Sequence, residues 1–251
     1  MIHVTMDIKA LMATLTDLEK RQLPFAMQQA LNLTADELRT AYQREMRDSF
    51  DRPTPYTLRG VRVRYATKKS LDAEVRLQDS GGRNRPSQYL RPEVYGGPRR
   101  MKAYEIQLGR RYTVPGREMA RDMYGNLQGG IITRALAQMG ILRGGVTQRT
   151  SQDQADAAAK LKHRRKKMGR AGKPVYFVGR PGGGRLPEGL WERRKIGKFW
   201  VTRPVLIFLD QAPTYSPRLE WEFTAQQVHR THFETNFRQA LAYAKATARP
   251  R

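Results

Sequence analysis

From Pro24 onward, Met27, Ala30/Leu31, Thr34, Leu38, Ala41/Tyr42, Met46 and Phe50 recur every three or four positions. That period marks one face of an α-helix and predicts an amphipathic helix of roughly seven turns, too long for one face of a compact small domain. Asp51-Arg-Pro53-Thr-Pro55 ends it, because a residue before proline is pushed out of the α region. Upstream, Leu11, Leu15 and Leu18 mark a shorter helix that can begin at Asp7. Arg21-Gln-Leu-Pro24 is expected to break the two apart, since proline is tolerated in a first turn but not inside a helix. The helical region is thus 7–51.

The period then changes to two. Leu58-Arg-Gly-Val61-Arg-Val63-Arg-Tyr65 and Leu71-Asp-Ala73-Glu-Val75-Arg-Leu77 both alternate apolar with charged residues, and Lys68-Lys-Ser70 can turn the chain between them. This predicts a β-hairpin over 58–78 with one buried and one charged face. Arg59, Arg62 and Arg64 on one strand stand against Asp72, Glu74 and Arg76 on the other, so cross-strand ion pairing is favoured over a nucleic-acid face.

Residues 80–100 are rich in Gly, Pro and Arg and are expected to form an extended arm. Short helices follow over 99–109 and 128–140, the second carrying Ile131, Ile132, Ala135, Leu136 and Met139. Residues 143–173 hold almost nothing to bury, and Lys160 to Arg170 contains seven basic residues in eleven. That stretch is expected to be flexible on its own and helical only against a polyanion. A sheet is expected over 174–209. Its strand Pro174-Val-Tyr-Phe-Val178 leads into the glycine-rich 179–185, and Arg193-Arg-Lys195 is a basic turn between Gly189-Leu-Trp191 and Phe199-Trp-Val201. Pro204-Val-Leu-Ile-Phe-Leu209, the most apolar strand, belongs at the sheet's centre. Trp221, Phe223, Val228, Phe233, Phe237, Leu241 and Ala244 predict a terminal helix over 218–247. Helices at both ends and a broken antiparallel sheet between them make the class α+β, read as a single domain over 1–251.

The chain has 251 residues and a formal charge of +24, and that charge speaks of partners more than of fold. Residues 1–50 carry six basic and seven acidic side chains, whereas 52–121 carry seventeen and six, and 143–203 seventeen and four. The basicity belongs to the middle of the chain. No cysteine is present, which removes disulfides, thiolate metal sites and thiol nucleophiles together. No apolar run has the length of a membrane span, and the N-terminus lacks the pattern of a secretory signal, so the chain reads as cytosolic when made.

Catalytic chemistry finds few candidates. His229 and His232 have ligand spacing, but a site needs a third ligand and the nearby Glu222 and Glu234 are ordinary helix residues; two solvated histidines are favoured. The glycine run lacks the Lys-Ser/Thr of a phosphate loop, because Gly172-Lys173 is followed by Pro174. Paired carboxylates, a nucleophile elbow and a triad are absent as motifs. The expectation is no catalytic residue, no metal, no cofactor and no enzyme, although a metal-dependent nuclease assembled from scattered Asp and Glu is left open. What remains is electrostatic: basic side chains at this density give sequence-independent, salt-dependent nucleic-acid binding. Arg85, Tyr89, Arg91, Tyr95 and Arg99, and again Trp191, Arg193, Lys195 and Trp200, interleave cations with aromatics. Such interleaving suits base stacking and protein interfaces equally.

Six stretches together carry a resemblance: Ala30-Leu-Asn-Leu-Thr34-Ala; Phe50-Asp-Arg-Pro-Thr-Pro-Tyr-Thr57-Leu-Arg; Tyr176-Phe-Val-Gly-Arg-Pro181; Leu186-Pro-Glu-Gly-Leu-Trp191; Pro204-Val-Leu-Ile-Phe208; and Ala-Leu-Ala-Tyr-Ala244. The chain resembles tail-completion and neck proteins of tailed bacteriophages, in particular the minor tail protein Z group of lambda-like phages. The likeness covers mainly 24–78 and 174–247. It implies a structural virion protein at the neck or tail, assembled in the bacterial cytoplasm. Such a protein forms a homo-oligomeric ring, sixfold before twelvefold, around the DNA channel. Its neighbours would be portal, adaptor or tail-tube proteins, with packaged DNA held by nonspecific electrostatics and no membrane. On this reading Lys160, Lys162, Arg164, Arg165, Lys166, Lys167 and Arg170 lie near DNA, and Arg85, Tyr89, Arg91, Tyr95 and Trp191 make ring contacts. A free sequence-independent nucleic-acid-binding protein is the alternative.

Overall fold

The computed structural model describes residues 17–80, 85–141 and 174–247. In chain order the elements are α1 (Asp17–Ser49), α2 (Pro55–Leu58), β1 (Val61–Arg64), β2 (Glu74–Leu77), α3 (Pro86–Tyr95), α4 (Ala103–Gln107), β3 (Tyr112–Pro115), α5 (Gly129–Met139), β4 (Val175–Gly179), β5 (Gly189–Ile196), β6 (Phe199–Leu209) and α6 (Trp221–Ala246). Helices and antiparallel sheets make the class α+β, with the long helices near the two ends.

The single domain expected from the sequence is instead two compact units, one drawn from Met1–Gly97 with Thr214–Arg251 and the other from Pro98–Pro213. The physical reason is that the second stretch buries a core of its own. Leu108, Met119, Ile131, Leu136, Tyr176, Leu190 and Leu206 cluster together without help from the terminal helices.

The first unit is built on α1 and α6. Leu23, Ala26, Met27 and Ala30 near the start of α1 pack with Phe233, Phe237, Ala240 and Ala244 near the end of α6. Tyr42 and Met46, late in α1, pack with Trp221 and Ala225, early in α6. The two helices therefore run antiparallel. Alanines four apart on both helices are fully or almost fully buried, so the backbones can approach closely there. Asn236 donates to Thr34 Oγ1 at 3.0 Å and to Glu37 Oε2 at 3.0 Å, which satisfies the buried amide between the helices.

Pro24 does not break α1; it is the eighth residue of one continuous helix. Its missing N–H forfeits the bond to the Lys20 carbonyl. Burial of Leu23, Ala26 and Met27 against α6 holds the turn despite that loss. The earlier part of the expected helix, 7–16, lies outside the described residues.

The hairpin is present with the register Val61↔Leu77, Arg62↔Arg76, Val63↔Val75 and Arg64↔Glu74. Its charged face is an ion-pair face at Arg64, which reaches Asp72 at 2.5 Å and Glu74 at 3.1 Å. Arg62 donates to Gln78 Oε1 at 2.9 Å. Asn32 of α1 clamps the strand end: its Nδ2 donates to the Ala66 carbonyl at 3.2 Å, and Ala66 N–H donates to Asn32 Oδ1 at 2.7 Å.

The extended arm expected over 80–100 is corrected by α3, which occupies its middle. Pro86 takes the first helical position, where no N–H is needed. Pro86, Leu90 and Pro92 are buried, and Leu90, Val94 and Tyr89 pack on Tyr42, Met46 and Val61. A Gly/Pro/Arg composition hid two apolar residues spaced four apart, enough for one helical face.

The second unit is a four-stranded antiparallel sheet in the order β3-β6-β5-β4, covered by α5. Gln138 ties the helix to the edge strand, accepting from Tyr176 N–H at 2.6 Å and donating to the Pro174 carbonyl at 3.1 Å. The strand holding 204–209 is interior, as its apolarity requires. Pro204 sits inside β6, where it can bond no neighbour through nitrogen. A bulge answers this: Leu190 pairs with Leu206 but Trp191 with Pro204.

Candidate functional site

On α4 sits the only carboxylate among the described residues with 0% exposure, Glu105. Arg99 grips it bidentately at 2.5 and 2.7 Å, and Lys102 N–H, Thr113 N–H and Thr113 Oγ1–H also donate to it at 2.6–2.9 Å. Burial alone would push this carboxyl up, but the Arg99, Lys102 and Thr113 hydrogen bonds together hold it below the usual range. A carboxylate with every lone pair engaged abstracts no proton from a substrate, so this is a structural clamp.

The other titratable groups scatter. His229 stacks on Phe233 with centroids 5.0 Å apart, while His232 faces Glu37 at 3.5 Å. The two histidines therefore engage different partners. Among the described residues no three His, Asp or Glu side chains gather at metal-binding distance. The cleft between α1, the hairpin and α6 has a volume of about 70 Å³ and is lined by Leu31, Leu38, Leu71, Val75, Val228 and Phe233. That is far below the several hundred Å³ of a cofactor or drug-sized site.

The site with the most exposed chemistry is the end of the β5–β6 hairpin. β4 pairs with β5 only as far as Arg193, and β3 pairs with β6 only over Leu206–Leu209. Beyond those positions, among the described residues, the two strands pair with each other alone, from Arg194↔Val201 to Ile196↔Phe199. Gly197 and Lys198 close the ribbon, and Gly197 takes the positive φ of 61° that a two-residue hairpin loop requires. Arg193-Arg-Lys195 is thus strand and not turn, a correction to the expected basic turn. The aromatic and β-branched residues after it pair with it residue for residue, and this extends the ladder to the glycine.

Cross-strand partners share a face, so the ribbon has two distinct sides. One carries Arg193, Lys195, Trp200 and Thr202. The other carries Arg194, Ile196, Phe199 and Val201. On the first side the Arg193 guanidinium lies over the Trp200 ring at 5.0 Å. On the second, Phe199 is 77% exposed and Ile196 59%. Arg193, Arg194, Lys195 and Lys198 are exposed, and among the described residues none of them has an acidic partner; the ion pair of this hairpin is Arg203 with Glu192 at 3.0 Å, nearer the sheet.

The residues expected from sequence to make contacts are dispersed. Trp191 is a correction: at 2% exposure, inside the sheet, it has no surface to offer a partner. Its apolar neighbours in a strand paired on both sides bury it, whereas Trp200, nine residues later on the free ribbon, is 44% exposed. Tyr89 is half-buried in the first unit's core and its hydroxyl donates to Thr57 Oγ1 at 3.2 Å. Arg85 precedes α3 and stands 3.8 Å from Asp79. Arg91 and the exposed Tyr95 do stay on the surface, 6.0 Å apart as cation and ring. Lys160, Lys162, Arg164, Arg165, Lys166, Lys167 and Arg170, with the whole of 143–173, lie outside the described residues. Comparison of the chain with protein-family models, with curated proteins and with solved structures finds no match.

Proposed function

We propose that this chain is a structural subunit of a tailed-bacteriophage virion, a tail-completion or neck protein working as a homo-oligomeric ring around the DNA channel. The observation that carries the reading is the bare apolar side of the ribbon. Ile196, Phe199 and Val201 stand exposed on one face of a two-stranded extension, a surface that is stabilised when a neighbour covers it. A head-to-tail contact of this kind generates a ring when the rotation closes.

The residues quoted for the resemblance on 24–78 pack the first unit. Ala30 is buried against α6, Asn32 clamps Ala66, Thr34 meets Asn236, and Thr57 meets Tyr89. These are packing roles. The neighbours on this reading are further copies of the chain and portal, adaptor or tail-tube proteins, at the virion neck or tail. The second reading, free sequence-independent nucleic-acid binding, is favoured by the cations around Trp200.

Light scattering at 0.1 M and 1 M salt, with and without a short duplex, tests the reading. A discrete multiple of the chain mass that survives 1 M salt supports the ring. A monomer that binds DNA tightly and releases it at 1 M salt overturns the ring and leaves the second reading.

A further inference from the structure

The Arg193–Lys195–Trp200 side of the ribbon is left over by a ring contact through Phe199, and it has a different chemistry. Four cations, Arg193, Arg194, Lys195 and Lys198, crowd into six residues without an acidic partner among the described residues. No described residue supplies their counter-charge. A second copy offers little counter-charge to this side, because each copy carries a formal +24 and the ring contact lies on the opposite, apolar side. An inorganic anion is held best in a pocket, and these cations stand exposed on a two-stranded ribbon.

We propose that the 193–202 ribbon is a binding arm for duplex DNA, its cations on the sugar–phosphate backbone and Trp200 lying against it. A two-stranded β-ribbon is one of the few elements that the major groove admits. Its two strands present side chains to both walls at once, and here both sides and the tip carry positive charge: Arg193 and Lys195 on one, Arg194 on the other, Lys198 at the turn. Trp200 adds a flat, exposed surface already paired with a guanidinium, a combination that tolerates any sequence. The arm reads no bases and so slides, which suits a subunit past which DNA must move. The proposal rests on the reading that this chain works beside DNA, but it does not need the ring.

The three tryptophans make the test local, since Trp191 and Trp221 are buried and Trp200 is the exposed one. A mixed-sequence 20-base-pair duplex is titrated into the full chain while tryptophan emission and affinity are followed between about 50 and 300 mM salt. The expected result is saturable quenching of Trp200 emission that W200F abolishes. In the variant R193Q/R194Q/K195Q/K198Q, the slope of log affinity against log salt is expected to fall by about 3.6, at roughly 0.9 per phosphate contact. All four replaced side chains are exposed, and an unchanged melting temperature confirms that the variant is folded.

An unchanged slope in the quadruple variant overturns the proposal, because cations elsewhere then carry the binding. So does an absence of quenching when the duplex is bound. Equal quenching by polyglutamate would assign the arm to an acidic protein surface, and tenfold tighter binding of a single strand would assign it to exposed bases; either overturns the duplex reading. Quenching with the expected slope change in a chain that stays monomeric would sustain the arm and remove the ring, so the two failures are distinguishable.

Discussion

Tyr42 and Trp221 stack with ring centroids 3.6 Å apart and planes 5° from parallel, and the Tyr42 hydroxyl donates to the Trp221 carbonyl oxygen at 2.7 Å. This pair joins a residue late in α1 to the first residue of α6, 179 positions away. Burial pushes the Tyr42 phenol far above its ordinary range, so it remains a donor throughout accessible pH. Glu45 works one turn further on, accepting from Glu220 N–H and, at 3.0 Å, from Thr224 Oγ1–H. Its negative charge meets the positive end of the α6 dipole.

Tyr42→Phe keeps the stack and removes only the hydroxyl. The expected cost is about 1 kcal/mol, the net worth of one hydrogen bond. Tyr42→Ala removes the ring as well and is expected to cost about 3–5 kcal/mol. Denaturant titration of both variants, followed by tryptophan emission, checks the order. A Tyr42→Phe loss as large as that of Tyr42→Ala would show that the stack contributes little.

Glu105→Gln leaves the buried Arg99 guanidinium without its counter-charge. A loss of about 3–5 kcal/mol is expected in the second unit. The pH dependence has a definite sign, because the folded Glu105 carboxyl lies below its unfolded value of 4.5. Its contribution is fully present above that value and is lost as pH falls through the lower folded value. Melting temperature should therefore drop on acidification below about pH 4.5 in the parent, and less steeply in Glu105→Gln.

Gly116 and Gly189 each lie against the backbone of β6. A Cβ added to Gly116 would stand 1.9 Å from the Pro204 carbonyl oxygen, and one on Gly189 would stand 2.2 Å from that of Leu206. Backbone cannot step aside as a flexible side chain can. Alanine at either position is expected to cost at least the ~1–3 kcal/mol of ordinary overpacking. By contrast, Gly183→Ala meets no atom within 4 Å, and its cost is the strain of a φ of +67°. Thermal melts of the three variants separate contact from conformation.

Much of this architecture is legible in the sequence. The stripe from Met27 to Met46 and the run Pro204–Leu209 announced themselves because their apolar side chains are buried almost in phase with one period. What the sequence hid has physical causes. Pro24 enters a helix because packing outweighs one lost hydrogen bond, and α3 forms from a Pro/Arg-rich stretch because Leu90 and Val94 reach a core supplied by distant residues. Phe223 belongs to the expected apolar set of α6 yet is 60% exposed, since α1 covers only one side of that helix. At the ribbon, the interleaving of cations and aromatics was visible, but not which tryptophan faces solvent. Strand pairing decides that. Among the described residues, Trp191 has strand partners on both edges and Trp200 has one.

Phe199 is the residue on which the ring reading turns. A side chain so exposed contributes almost nothing to folding of the single chain, so Phe199→Ser is expected to shift the melting temperature very little. If a neighbour buries it, the same substitution removes roughly 2–3 kcal/mol per contact, or a 30- to 150-fold loss in association at each interface. The ring should then dissociate at micromolar concentration while the monomer stays folded. Ile196→Ser, one cross-strand partner away on the same face, should behave alike, and Thr202→Ala on the opposite face should not. Sedimentation velocity of the three variants reads this directly. Association unchanged by Phe199→Ser would take the ribbon's apolar side out of the assembly contact.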